Sequence, residues 1–292
     1  MMNIQKFVAQ RKKLGLTQVT LCQGICTQAT LSKFERGSQL PSLAILTQLC
    51  ARLGLGLDDL DDGEILTLRT IKARLAEIEE NLMVEDFPKV KQLLKKIDVS
   101  QIKTKEEVLR YYLLEGMTNV LTNQPLGRVT ASFNPILKAL DTKNLSLYVY
   151  LAYLGEGIFY MRHDASRQAH FFFHKVERFF NKLPKKLGGE LTYAYLTMAY
   201  FLAEYHSLMA DFEESNRLIK LALAKCASSH RTYYLPRLKL LEAENNLNLK
   251  KDNQVILEAL EDARAFARIN NNNAVQLQVA ALLRSYQQLV LD

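Results

Sequence analysis

The sequence predicts an all-α protein in two parts, a compact helix-turn-helix domain and a following solenoid of helical hairpins. Three observations carry this. Residues 16–37 read LTQVTLCQGICTQATLSKFERG, two short amphipathic segments joined by a glycine. Only 6 prolines and 12 glycines punctuate 292 residues, and no stretch sustains the period-two alternation of a strand. Small residues recur at Gly116, Gly157, Ala203 and Ala243, at intervals of 41, 46 and 40 residues.

Taken in order, residues 3–14 are predicted as a first helix with Ile4, Phe7 and Val8 on its buried face. Thr17 caps a second helix carrying Val19, Leu21 and Cys22, because its hydroxyl satisfies an orphan N–H at the helix start. Gly24 permits a tight turn that needs φ > 0. Thr27 caps a third helix, with Ala29 or Thr30, Leu31 and Phe34 inward and Gly37 closing it. Two short helices meeting steeply through a glycine turn form the unit that places a recognition helix in a DNA groove. Ser42, after Pro41, starts a fourth helix presenting Leu43, Leu46, Leu49, Cys50 and Leu53, and residues 57–60 make a fifth short turn.

The acidic run over residues 58–62 is read as a hinge dividing a DNA-binding domain of residues 1–62 from a second domain of residues 63–292. It lacks the ordered ligand spacing and distal glutamate of a calcium loop. Beyond it, helices are predicted over 64–83, 86–97, 104–122, 128–140, 145–163, 165–182, 188–209, 212–228, 231–249, 252–269 and 273–290. The first carries Ile65, Leu68, Ile71, Leu75, Ile78 and Leu82 on one stripe. Within 197–224, Ala199, Leu202, Ala203 and His206 precede Asp211, Phe212, Ser215, Ile219 and Ala222. That is a tetratricopeptide-like hairpin, in which Ala203, Ser215 and Ala222 let two helices approach closely. Small residues also serve ordinary bundles, but the spacing and hairpin context favour a solenoid, whose first helices line a concave ligand surface.

Composition narrows the function. Hydrophobic content of 48% with 24% charged residues is that of a folded protein. The formal net charge is +7, of which residues 1–60 supply +4 from seven basic and three acidic side chains. The basic excess is thus densest where the DNA motif lies. Cys22, Cys26, Cys50 and Cys226 suit buried thiols in a reducing compartment rather than a disulfide framework or a zinc site. No signal core or membrane-length apolar run is present, so a cytoplasmic protein without membrane attachment is expected.

Several stretches resemble a known family. Thr17-Gln18, Gly24 and Ser32-Lys33-Phe34-Glu35-Arg36-Gly37, followed by Leu40-Pro41-Ser42 and Leu49-Cys50-Ala51-Arg52-Leu53-Gly54, resemble the phage-repressor (Xre-type) helix-turn-helix. With its helical remainder, the chain resembles the Rgg/PlcR/PrgX (RRNPP) class of peptide-responsive bacterial regulators. The resemblance implies quorum sensing, in which a homodimer binds a DNA operator and a short signalling peptide bound by the C-terminal repeats controls it. In that fold an arginine late in the first helix pairs with a glutamate late in the recognition helix, places taken here by Arg11 and Glu35. Gln18 resembles a phosphate-anchoring position.

Gln28, Ser32 and Lys33 are the base-reading candidates, since amides pair with adenine and lysine with guanine acceptors. Ala29 and Thr30 are suited to a thymine methyl, while Arg36, Ser38, Gln39 and Lys12 are candidates for the phosphate backbone. His170, His174 and Glu177 share a helical face, but aromatic neighbours make packing the better account than a metal. The tyrosine-rich middle reads mainly as core. Mapping the hairpin onto 197–224 puts Thr197, Tyr200, Glu204 and Ser207 on the concave face, with Arg110, Asn119 and Asn123 as peptide-binding candidates on an earlier helix. Asparagine both donates to and accepts from a peptide backbone. No phosphate loop, HExxH, GxSxG or triad argues for an enzyme, and no cofactor is expected. The expected function is a peptide-controlled, sequence-specific transcription regulator. The alternatives are a ligand-independent repressor and a helical-repeat interaction adaptor with a DNA-binding head.

Overall fold

A computed structural model describes residues 4–56, 60, 64–140, 146–184 and 189–291. Among them all regular structure is helical. The predicted hinge, its 62/63 boundary and most of the fifth turn fall outside the described residues. The chain divides into two units, residues 1–74 with 100–103, and residues 75–99 with 104–292.

The first unit holds α1 (Ile4–Lys13), α2 (Gln18–Cys22), α3 (Gln28–Glu35) and α4 (Leu43–Arg52). The Thr17, Thr27 and Ser42 hydroxyls accept from the backbone N–H of Thr20, Thr30 and Ile45, which starts α2, α3 and α4 where the sequence places them. Gly24 turns the chain between α2 and α3 at φ 74°. Phe7, Leu21, Leu31, Phe34, Leu49 and Leu53 form the core, with the Phe7 and Phe34 rings edge to face at 5.0 Å. Ala29 is exposed and Thr30 half-buried, so the apolar core contacts of α3 come from Leu31 and Phe34.

The second unit is a run of helical hairpins. Helix α5 (Glu64–Met83) crosses the division at residue 74, and the chain continues through α6 (Phe87–Leu94), α7 (Lys105–Leu121), α8 (Leu126–Asn134) and α9 (Leu147–Arg162). Then follow α10 (Ser166–Phe180), α11 (Gly189–Leu208), α12 (Phe212–Ser229), α13 (Leu235–Asn248), α14 (Asn253–Ile269) and α15 (Asn273–Leu291). Antiparallel pairs α7/α8, α9/α10, α11/α12 and α13/α14 pack as successive hairpins. The recurrent small residues sit where those pairs meet. The Phe133 ring, fully buried, wedges between Gly116 of α7 and Gly155 of α9, where an added Cβ would lie 2.2 Å and 2.3 Å from it. Gly157 faces the Phe173 ring less closely, an added Cβ lying 3.2 Å from it. In the third hairpin the Ser215 hydroxyl donates to the Ala203 carbonyl at 2.7 Å, and Ala203, Ser215 and Ala222 are fully buried.

The hairpin turns do without glycine. Glu85, Asn123, Asp164, Ala210, His230, Lys250 and Asn271 all take positive φ, between 52° and 61°, just beyond a helix end. Asp86, Asp211 and Asp252 then cap the next helix. An L-residue in this region is strained, so Ala210→Gly should raise stability by about 0.5–1 kcal/mol, read as a higher urea midpoint. An unchanged or lowered midpoint would mean that the turn carries no such strain.

Candidate functional site

The exposed face of α3 is built around a desolvated ion pair. Arg11 Nε and Nη2 meet the two Glu35 carboxylate oxygens at 2.6 Å and 2.9 Å, with the side chains 11% and 7% exposed. Arg11 Nη1 also donates to the Leu16 carbonyl at 2.7 Å, and Gln18 Nε2 donates to Glu35 Oε2 at 2.8 Å. This network ties α1 and α2 to the end of α3. One N–H of the Gln18 amide is thus engaged by Glu35, at the half-exposed start of α2.

Gln28, Ala29 and Lys33 are exposed on α3, with Lys33 Nζ 3.5 Å from Gln39 Oε1. Thr30 shares a 2.9 Å hydroxyl contact with Thr27, and Ser32 accepts from Arg36 Nη2 at 2.6 Å. The Ser38 hydroxyl donates to the Lys33 carbonyl at 2.9 Å and closes the helix end. The face thus presents an amide, a methyl and an ammonium in the middle, with Arg36 beside them.

In the second unit, a cavity of about 560 Å³ is lined by Tyr200, Glu204 and Ser207 of α11. Arg162, Arg237 and Glu244 bring charge from α9 and α13, and Phe87, Leu121, Leu240, Leu241 and Val275 supply apolar wall. Glu85 closes one side. Arg237, 7% exposed, meets Glu85 Oε1 at 2.7 Å and the Met83 carbonyl at 3.4 Å, and its guanidinium lies 5.8 Å from the Tyr200 and Tyr234 ring centres. Tyr200 donates to Glu204 Oε1 at 3.3 Å. Glu204 Oε2 and Arg237 Nε are buried without a hydrogen-bond partner. Burial raises the Glu204 carboxyl above the usual range; Arg162, Arg237 and the Tyr200 hydrogen bond oppose that rise, and Glu85 adds to it.

The other residues expected on this face lie elsewhere. Thr197 is buried and accepts from the Tyr234 hydroxyl at 2.9 Å, because α13 covers the turn of α11 above Tyr200. Arg110 is forked onto Glu79 and lines a second cavity of about 480 Å³ with Tyr148, Tyr193 and Tyr233. Asn119 donates to Ser132 at 3.0 Å between α7 and α8. Asn123 lies beyond the end of α7, in a turn at φ 52°. Sequence reasoning missed Arg162, Arg237 and Glu85, which come from other hairpins.

The histidine face of α10 divides. His170 Nδ1 meets the Tyr205 hydroxyl at 3.0 Å, whereas Glu177 meets His206 Nε2 at 3.2 Å. Glu177, His206 and Glu214 bring ligand-type atoms within 4.8 Å of one another. Arg217 holds both Glu214 oxygens at 2.6 Å, so that carboxylate already has a cationic partner. No helix among the described residues is long and apolar enough to cross a membrane.

Residues 9–60 match the family model described as Helix-turn-helix. No curated protein sequence matches the chain. Solved structures similar to it include PlcR of Bacillus thuringiensis in complex with the peptide PapR7 and DNA. There the TM-score is 0.65 at 17% identity, over 96% of this chain and 99% of that one. ComR from S. thermophilus, in complex with DNA and its signalling peptide ComS, gives a TM-score of 0.57 at 17% identity over 94% and 96%. The apo form of the competence regulator ComR from Streptococcus vestibularis gives 0.54 at 20% identity over 97% of each chain. The fold, a helix-turn-helix domain followed by helical hairpins, is the one these proteins share.

Proposed function

We propose that this chain is a sequence-specific DNA-binding transcription regulator controlled by a short peptide in its helical-repeat unit. Its DNA-binding arm rests on α3, whose exposed Gln28, Ala29 and Lys33 are held in place by the Arg11–Glu35 pair beneath them. The observation that carries the peptide reading is the 560 Å³ cavity. Its apolar wall and its buried, unpartnered Glu204 and Arg237 atoms match a ligand with both apolar side chains and backbone polarity. The second cavity is less suited, because among the described residues none of its lining side chains has a buried polar atom without a partner. PlcR and ComR, solved with DNA and a peptide, have the same architecture.

In this reading a homodimer presents two copies of α3 to operator half-sites. The peptide acts by binding one arrangement of the hairpins more tightly than another, since only differential affinity shifts such an equilibrium. A duplex selected from a random pool by the purified protein supplies the assay. Lys33→Ala and Gln28→Ala should each weaken binding to that duplex by about 1–3 kcal/mol and relax preference at one position, with the melting temperature unchanged. Wild-type affinity and preference in both variants would remove α3 from the interface.

A further inference from the structure

The cavity holds three acids and two arginines, and the hydrogen bonds both arginines make go to groups other than Glu204. Glu85, Glu204 and Glu244 line it against Arg162 and Arg237. Glu85 takes up Arg237 at 2.7 Å, and Arg162 leans on the Val120 and Leu121 carbonyls at 3.5 Å and 3.4 Å. Glu204 is left with one oxygen, Oε2, that has no donor. Glu244 is exposed as a residue, yet partial desolvation of its carboxyl and the charge of Glu204 both raise it. A buried acceptor without a donor costs free energy that an incoming donor recovers. An anionic group entering here would find Arg237 already neutralised and these acids repelling it. A cationic donor would give Glu204 Oε2 the hydrogen bond that neither arginine supplies.

We propose that Glu204, with Glu244 beside it, seats a cationic nitrogen of the ligand, while Arg237 Nε donates to a neighbouring carbonyl oxygen. This inference rests on the reading of the cavity as a peptide site. The nitrogen comes from the free N-terminus of the peptide or from a lysine or arginine side chain. Either source satisfies the Glu204 oxygen by a charge-assisted hydrogen bond. A carbonyl of the same ligand would supply the acceptor that Arg237 Nε lacks.

The test uses the full-length protein and pools of short synthetic peptides, N-terminally free or acetylated, with lysine, arginine, glutamate or norleucine fixed at each position in turn. Peptides retained through gel filtration are quantified by mass spectrometry. Pools bearing a cationic nitrogen should be retained at least about tenfold over acetylated pools lacking lysine and arginine. The free and acetylated arms tell the two sources apart. The isosteric Glu204→Gln should abolish that preference while neutral pools are retained as before. If Glu204→Gln fails to fold, the wild type in increasingly acidic buffer replaces it. Retention of cationic pools should then fall as Glu204 takes up a proton, and a flat profile would overturn the proposal. Equal retention of neutral, acidic and cationic pools, unaltered by Glu204→Gln, would overturn it and leave the peptide reading standing. Retention of no pool by the wild type would overturn both.

Discussion

Phe133→Ala should destabilise the helical-repeat unit by about 3–5 kcal/mol, the range for deleting a fully buried aromatic ring. The ring fills the space that Gly116 and Gly155 leave between α7 and α9, so its removal opens a cavity against two helices that have no side chain to fill it. The converse substitutions test the same wedge. Gly116→Ala or Gly155→Ala places a methyl well inside contact distance of a ring held on both sides. Each should cost about 1–3 kcal/mol through overpacking. Phe133→Leu should partly rescue Gly116→Ala, because the shorter side chain vacates the space the methyl needs. Urea denaturation followed by circular dichroism reads all of these. A Phe133→Ala shift below about 1 kcal/mol would show that the hairpins do not depend on the wedge.

Arg11→Ala should cost the helix-turn-helix unit about 3–5 kcal/mol, because it strands a buried carboxylate. Glu35 would keep only the Gln18 amide, and the Leu16 carbonyl would lose its donor as well. The comparison that identifies the cause is the double variant Arg11→Met/Glu35→Leu. With both charges gone nothing buried is left unpaired, and the loss should be smaller than for Arg11→Ala alone. Arg11→Lys should fall between, since an ammonium cannot make the forked contact. Thermal unfolding of the three variants beside the wild type checks the order. An Arg11→Ala protein as stable as wild type would mean the pair contributes nothing.

Local chemistry made much of this legible in the sequence. Thr17, Thr27 and Ser42 announce helix starts because a short hydroxyl before an apolar run has little else to do, and all three hydroxyls make the expected cap. Gly116 and Gly157 stand out as small residues in long helices, but Phe133, which makes Gly116 necessary, carries no local sign of its partner. The hairpin turns hide for the opposite reason. Glu85, Asp164, Ala210 and Lys250 adopt a backbone normally marked by glycine, and only Glu85, Ala210 and Lys250 are betrayed by an aspartate cap that follows.

The cavity was half legible. Tyr200, Glu204 and Ser207 follow from the register of one hairpin, and they line it. Thr197 shares their helical face but is covered by Tyr234, a neighbour that a single hairpin cannot reveal. Arg237 and Glu85 meet across a long separation in the chain, and their pairing is a product of the fold. On α3, periodicity exposed Gln28 and Lys33, whereas the engagement of Gln18 with Glu35 depends on how α2 meets α3.

The most direct test of peptide control over DNA binding is one fluorescence-anisotropy titration on the selected duplex, run with and without peptides secreted by the cell that makes the protein. The wild-type midpoint should shift when peptide is present. In Tyr200→Ala, which lacks a cavity wall but leaves α3 untouched, the midpoint without peptide should match wild type and the peptide-dependent shift should shrink or vanish. A wild-type midpoint that does not move with peptide would contradict the account.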